Sequence, residues 1–500
     1  MMNEIDDRMG MDREKIRNAI RLQLPIEITS YSVPRNMEVY IQRVLELFLA
    51  ECHQEHLQNS LSFCLGELLA NAKKANTKRV YFEEKGLDIN DPQQYETGMK
   101  DFRTETFDNI NYYLELQRKA GLYVKFVLQL KEDKIYIEIR NNCLLTEMEK
   151  GRIAGKLDSV QQYKSMEEVL GTVLDQTEGA GLGIIIVILM LQKAGIPKEN
   201  YQVFTEDDET VTRIILPGNE SIFAAVEIMS YELAYMIDRI AVVRNHFDVI
   251  NALVSSQELD RKAIRQIVNA DIGLALLAQK YALEKDPEAI GIKHCLSLIS
   301  DDELRYIYSD SNPSVRVIEN TPSLENLFFH AQRTAYFTYN LFKKYGEGQS
   351  KPETLNADVM YSLGLFNSIG FALIETQTQE QRNYMQELSC QYDEDSKRIM
   401  DVFNFGASVN YIKRTYTKKI KLPEYATMII SSWNTKRDKL PEPLVFAADI
   451  LYLAEMMQYY DEKRADFCQI DRSILKKYGI THEKQFKTTI TQMKISLDSD

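Results

Sequence analysis

Pro217-Gly218-Asn219 divides the chain into two stretches with different hydrophobic periods, and that change limits the fold more than any other feature. Ahead of it, Ile135, Ile137 and Ile139 alternate with Tyr136, Glu138 and Arg140, the period of two of a half-buried strand. Leu122 to Leu130 reads as the strand before, with Lys131-Glu132-Asp133-Lys134 as the turn. A closing strand pair is expected at Tyr201–Thr205 and Val211–Leu216. Helical spacing runs from Arg43 to Leu69 through Val44, Leu45, Leu47, Phe48, Leu61, Leu65 and Leu68. Residues 85–119, charged and aromatic, read as an insertion between strands. Beyond residue 217 helical periodicity takes over. The expectation is an α+β chain, with an N-terminal segment over 1–23, a mixed domain over 24–217, a helical connector over 218–253 and an all-α domain over 254–500.

The length of 500 residues fits that division, since domains run to roughly 100–200 residues. Lys plus Arg number 60 against 74 Asp plus Glu, a net charge of −14, which argues against a general binder of nucleic acid or anionic membrane. The longest apolar run, Ile184 to Leu191, falls short of the ~20 residues needed to span a bilayer. The first residues, MMNEIDDRMGMDREKI, lack the apolar stretch of a secretory signal. Six scattered cysteines without a CxxC pair read as reduced thiols in a cytoplasmic protein, with no zinc site expected.

Two motifs carry chemistry. Glu67 and Asn71 are four apart in a predicted helix, so both leave one face, where a carboxylate and a carboxamide suit proton transfer and magnesium binding. The same pair also suits a merely solvated helix face. Glu178-Gly179-Ala180-Gly181-Leu182-Gly183 leads into the apolar helix Ile184–Leu191, and glycines before a helix N-terminus expose N–H groups to an anion, although the run equally suits a flexible helix-entry loop. A Rossmann reading fails, because the spacing is GxGxG and no strand immediately precedes it.

Taken in order, these pieces resemble the GHKL ATPase superfamily of histidine kinases, anti-sigma-factor kinases, gyrases and chaperone ATPases. Glu67-Leu-Leu-Ala-Asn71-Ala is similar to its N box, Gly179-Ala-Gly181-Leu-Gly183 to its second glycine box, and Thr210 lies where its closing strand stands. The resemblance covers roughly Leu24 to Pro217 and implies a two-layer α/β sandwich of the Bergerat type binding ATP and Mg²⁺. It implies Glu67 as general base, Asn71 as the Mg²⁺ ligand, and Gly179, Gly181, Leu182 and Gly183 around the phosphates. Residues 150–178 would be the nucleotide lid, and Lys74 stands one turn beyond Asn71. The first glycine box departs from the pattern: Asn141 replaces the adenine-reading Asp, and Cys143 and Leu145 replace glycines. An Asn oxygen still accepts from the adenine amine. His53 and His56, expected on or just before the Glu67 helix, lack the setting of a phospho-accepting histidine. That layout resembles the anti-sigma-factor kinases, which phosphorylate a serine on a partner.

The second half resembles the HDOD domain, a helical signalling module related to HD phosphohydrolases, over roughly Val254 to Leu475. The resemblance rests on Leu259 to Leu277, Phe329-His330-Ala331-Gln332-Arg333, Leu363 to Gly370, Leu422 to Ala426 and Ala447-Ala448-Asp449. Asn367 and Ser368 stand where HD enzymes have a His-Asp ligand pair, so no hydrolytic metal centre is expected. Together the resemblances imply a cytoplasmic bacterial signalling protein whose ATP-binding, kinase-like domain is coupled to a non-catalytic interaction domain. The alternative is a pseudokinase scaffold without turnover. A protein partner is implied, and a homodimer is left open.

Overall fold

The computed structural model describes residues 13–131, 134–159, 182–217, 220–392, 396–404, 407–433 and 435–497. The chain is of mixed α/β character and forms two units, Met1–Gly218 and Asn219–Asp500.

The first unit is built on a five-stranded antiparallel sheet of order β1-β2-β3-β5-β4. Its strands are β1 (Ile26–Ser30), β2 (Val124–Lys131), β3 (Lys134–Asn141), β4 (Tyr201–Glu206) and β5 (Glu209–Pro217). The register sets Phe126 opposite Ile139 and Ile137 opposite Ile214, so the alternating isoleucines share one face. That face packs in a single core with the helices Arg13–Leu22, Arg35–Glu51, Gln58–Glu84 and Leu182–Lys193. On the opposite face, charged side chains tie the strands together. Glu138 bridges Arg140 and Arg213 at 2.7 and 2.6 Å, and Lys125 meets Glu209 at 2.7 Å. The β4–β5 hairpin turns on Asp207 and Asp208, both at positive φ, as a two-residue primed turn requires.

The helical run expected from Arg43 to Leu69 is in fact two helices. Arg35–Glu51 stops at Cys52, His53 takes a φ of 55°, and Glu55–Leu57 forms a single 3₁₀ turn before Gln58–Glu84 begins. No proline or glycine marks this break, so the apolar period runs through it unbroken in sequence. The long helix ends where Gly86 adopts a φ of 64° and the Gly86 and Leu87 amides turn back to the carbonyls of Glu83 and Phe82. Residues 85–119 then form two helices, Pro92–Asp108 and Ile110–Lys119. Their Tyr95, Phe102 and Tyr113 build a second small core against Val80, Tyr81 and Phe82.

The second unit is mainly helical but not all-α: β6 (Ile240–Val243) pairs in parallel with β7 (Val315–Ile318). Four apolar residues are too few for period to separate strand from buried helix, and the partner is far along the chain. The expected connector belongs to this unit's body. Its helix Glu220–Met236 packs on Gln379–Ser389, Ser396–Asn404 and Ala407–Lys419, and β6 follows directly. Pro322–Tyr345 is the central helix, packed against Ala357–Phe366 and Glu442–Asp461. The stretch Ala357–Glu375 is long and apolar enough to cross a membrane by composition, and it is 78% buried inside this unit.

Candidate functional site

Helix Gln58–Glu84 buries Leu61, Leu65, Leu68, Leu69 and Ala72 in the core and turns its polar residues to the edge. Glu67 is half-buried and Asn71 is exposed. Glu67 has no hydrogen-bond or ion-pair partner among the described residues. Gly183, in the first turn of Leu182–Lys193, abuts the Glu67 carboxylate so closely that a β-carbon there would overlap it. The end of the glycine run and the acidic residue of the helix thus meet in space. Gly179, Gly181 and most of the expected lid lie outside the described residues. The lid's first part is the end of the helix Glu147–Ser159.

The ends of β3 and β5 meet the same long helix. Asn141 and Thr210 are opposed in the β3–β5 register, and both are buried. Thr210 donates its hydroxyl to the Cys143 carbonyl at 2.6 Å, which ties the segment after β3 to β5. Asn141 donates through Nδ2 to Asn76 Oδ1 at 3.2 Å, and the Cys143 thiol donates to the same oxygen at 3.2 Å. Asn76 in turn donates through its own Nδ2 to the Tyr123 carbonyl at 3.1 Å. Burial pushes the Cys143 thiol up, so it stays neutral and able to donate. Sequence reasoning passed over Asn76. Its signal was there: an Asn in the apolar stripe of the helix, four residues after Ala72 and four before Val80.

Cations gather beyond Asn71. Lys73 pairs with Glu38 at 2.6 Å, and Lys78 and Arg79 hold Glu149 at 2.8 and 2.6 Å. Burial alone would raise the Glu149 carboxyl, but Arg79 and Lys78 bring it down to about 2. Lys74 has no described partner; desolvation, then the charges of Lys78 and Arg103, hold its ammonium below the usual lysine range. Desolvation also lowers Lys156, followed by Lys74, Arg152 and Lys78. Lys74 and Lys156 are thus held down by the cations around them, a positive field suited to a polyanion. His53 and His56 lie in the break before the long helix and not on it.

In the second unit, Asn367 and Ser368 are buried between the helices Ala357–Phe366 and Ile369–Glu375. Lys413 donates to the Asn367 side-chain oxygen at 3.0 Å and to its carbonyl at 3.3 Å. Burial lowers Lys413 to about 8, against the pull of Glu455. His330 is clamped at both ring nitrogens, by Glu455 at 3.1 Å and Glu462 at 3.0 Å, and Thr334 donates to the other Glu455 oxygen at 3.1 Å. An ammonium at Asn367 is the opposite of a divalent-cation ligand. Among the described residues no group of three or more His, Cys, Asp or Glu is placed to hold a metal ion.

No family model matches the chain. Two solved structures of the MmoQ response regulator from Methylococcus capsulatus str. Bath are similar to about half of it, each at 12% identity. One, a fragment, has a TM-score of 0.37 and covers 49% of this chain and 93% of its own. The other has a TM-score of 0.35 and covers 51% of this chain and 98% of its own. Similarity over the full length comes from an uncharacterized protein of Treponema pallidum (strain Nichols), 31% identical over 500 residues, spanning 99% of this chain and 96% of that one. This chain belongs to the same family as that Treponema pallidum protein.

Proposed function

We propose that the first unit binds Mg-ATP in the manner of a GHKL kinase domain and passes its nucleotide state to a non-catalytic, HDOD-like second unit that engages a signalling protein. The observation that carries this reading is the contact of Gly183 with the Glu67 carboxylate. It sets an acid that has no partner among the described residues beside the end of a glycine run, one helical turn from Asn71. The residues suit the ligand. Asn71 offers an exposed carboxamide oxygen to Mg²⁺, Lys74 supplies a cation for the phosphates, and Glu67 takes a proton from an attacking water or hydroxyl. Asn141 and Thr210, at the strand ends, would form the floor under the base. In the second unit the Lys413–Asn367 pair supports a role in contact and not in hydrolysis.

The test is calorimetric titration of the full chain with Mg-ATP. Wild type binds, and Asn71→Ala loses at least tenfold in affinity, about 1.4 kcal/mol, only when magnesium is present. Absence of binding by folded wild type would overturn the reading and leave the chain a scaffold.

A further inference from the structure

We propose that Asn76 locks the Asn141 carboxamide in one orientation, so that the first unit reads the 6-amino group of adenine through a fixed acceptor. The inference rests on the nucleotide reading above and adds the residue that sets how strictly the base is selected.

The argument turns on which end of each amide points where. A carboxamide has a donor end and an acceptor end of nearly equal shape, and only its partners decide between them. The Tyr123 carbonyl can only accept, so the Asn76 group beside it must be the NH₂. The Asn76 oxygen is therefore turned the other way, toward Asn141 and Cys143, where it needs donors. The Asn141 group that meets it must then be NH₂ as well. The Asn141 oxygen is left facing away from Asn76. Among the described residues it accepts no hydrogen bond, and it is not among the side-chain atoms sealed from solvent without a partner. A backbone carbonyl thus fixes the polarity of two side chains in series. The result presents what an aspartate would present, an acceptor, without the charge.

Turning Asn141 over would set oxygen against oxygen at Asn76, which makes the turned form roughly ten- to hundredfold rarer. A 6-amino purine meets the fixed acceptor with a donor. A 6-oxo purine meets it with another acceptor, which is worse than no substituent at all. Were Asn141 free to turn, it would suit both bases, and the 6-oxo purine would bind at least as well as the unsubstituted one.

The experiment titrates the full chain, by calorimetry with Mg²⁺, against the triphosphates of adenosine, inosine and unsubstituted purine riboside. Wild type is expected to bind adenosine triphosphate most tightly and inosine triphosphate least, with a spread of roughly ten- to hundredfold. Asn76→Leu removes the lock, and the spread should shrink to about threefold or less. Adding Asn141→Asp to Asn76→Leu restores an acceptor that cannot be turned into a donor, and the spread should return. Wild type binding inosine and adenosine triphosphates equally would overturn the inference without any variant. So would an Asn76→Leu chain that binds with unaltered selectivity, or one whose loss Asn141→Asp does not reverse. Failure of wild type to bind any of the three overturns the nucleotide reading itself, whereas adenosine triphosphate binding without selectivity overturns this inference alone.

Discussion

The polar groups around Glu67 in the first unit and those around His330 in the second use similar residue types to opposite ends. Near the first, Glu67, Lys74 and the Asn141 oxygen have no partner among the described residues, and Asn71 is exposed. Near the second, both nitrogens of His330, both oxygens of Glu455 and the Lys413 ammonium are taken up within the fold. An imidazole donating at both nitrogens is the charged form, and the two glutamates carry His330 to about 9 although burial opposes it. Glu455 is held at about 2 by His330 despite its own burial. A closed cluster of this kind holds helices in one arrangement, because any other leaves charge buried and unpaired. Polar atoms left open at an edge hold nothing together. In the proposed reading they meet the nucleotide.

The comparison breaks most sharply at Glu67. Glu67→Gln keeps the shape and removes the base, so in the proposed reading Mg-ATP affinity stays nearly unchanged while turnover falls by roughly 10²–10⁴-fold. Equal losses of rate and affinity, measured by single turnover beside calorimetry, would make Glu67 a binding residue. The closed cluster should answer in stability instead. Glu455→Ala removes the carboxylate that His330 and Lys413 share and leaves Lys413 with only the neutral Asn367, which should cost about 3–5 kcal/mol in urea unfolding and spare nucleotide binding. A loss below about 1 kcal/mol would mean that water reaches the cluster.

The smallest effect is the dependence on pH. The folded value of His330 is near 9 against an ordinary 6.5, so its contribution is whole below about pH 6.5 and lost as pH rises through 9. Lys413 runs the other way. Its folded value near 8 lies under the ordinary 10.5, so its buried charge is a penalty that is relieved between about pH 8 and 10.5. The two oppose each other, and the expected outcome is a shallow loss of within about 2 kcal/mol between pH 6.5 and 9, partly recovered above. On the acid side Glu455, folded near 2 against 4.5, gives up its contribution as pH falls from about 4.5 toward 2. Urea midpoints across this range should show the alkaline loss in wild type and its disappearance in His330→Gln.

Parts of this were legible beforehand. The isoleucine alternation at Ile135–Ile139 placed β3, and the closing strand pair lies within a residue or two of its expected bounds. The helix that carries Glu67 was legible from its apolar stripe, but its beginning was not. Cys52 to Leu57 break the helix through backbone angles that no proline or glycine announces. The β6–β7 pair escaped because each strand is four residues long and the partner lies beyond several helices. At the site, Glu67, Asn71 and Gly183 were named from spacing, while Asn76 was hidden as one more position in a stripe. Asn141 read as a damaged aspartate. Its partners in space make it a directed acceptor.

By itself, the sequence determined which residues face a core and where chain character changes, since both follow from periods of two and 3.6 within a few neighbouring residues. Which polar groups are closed and which are open was decided only by the tertiary structure. Asn76 and Asn141 are 65 residues apart, and His330 and Glu462 are 132 apart. A carboxamide or a carboxylate has the same local pattern whether its partner is a side chain, a carbonyl or a ligand. Its hydrogen-bonding capacity is a property of the residue, but which part of that capacity is left over depends on what the fold brings against it.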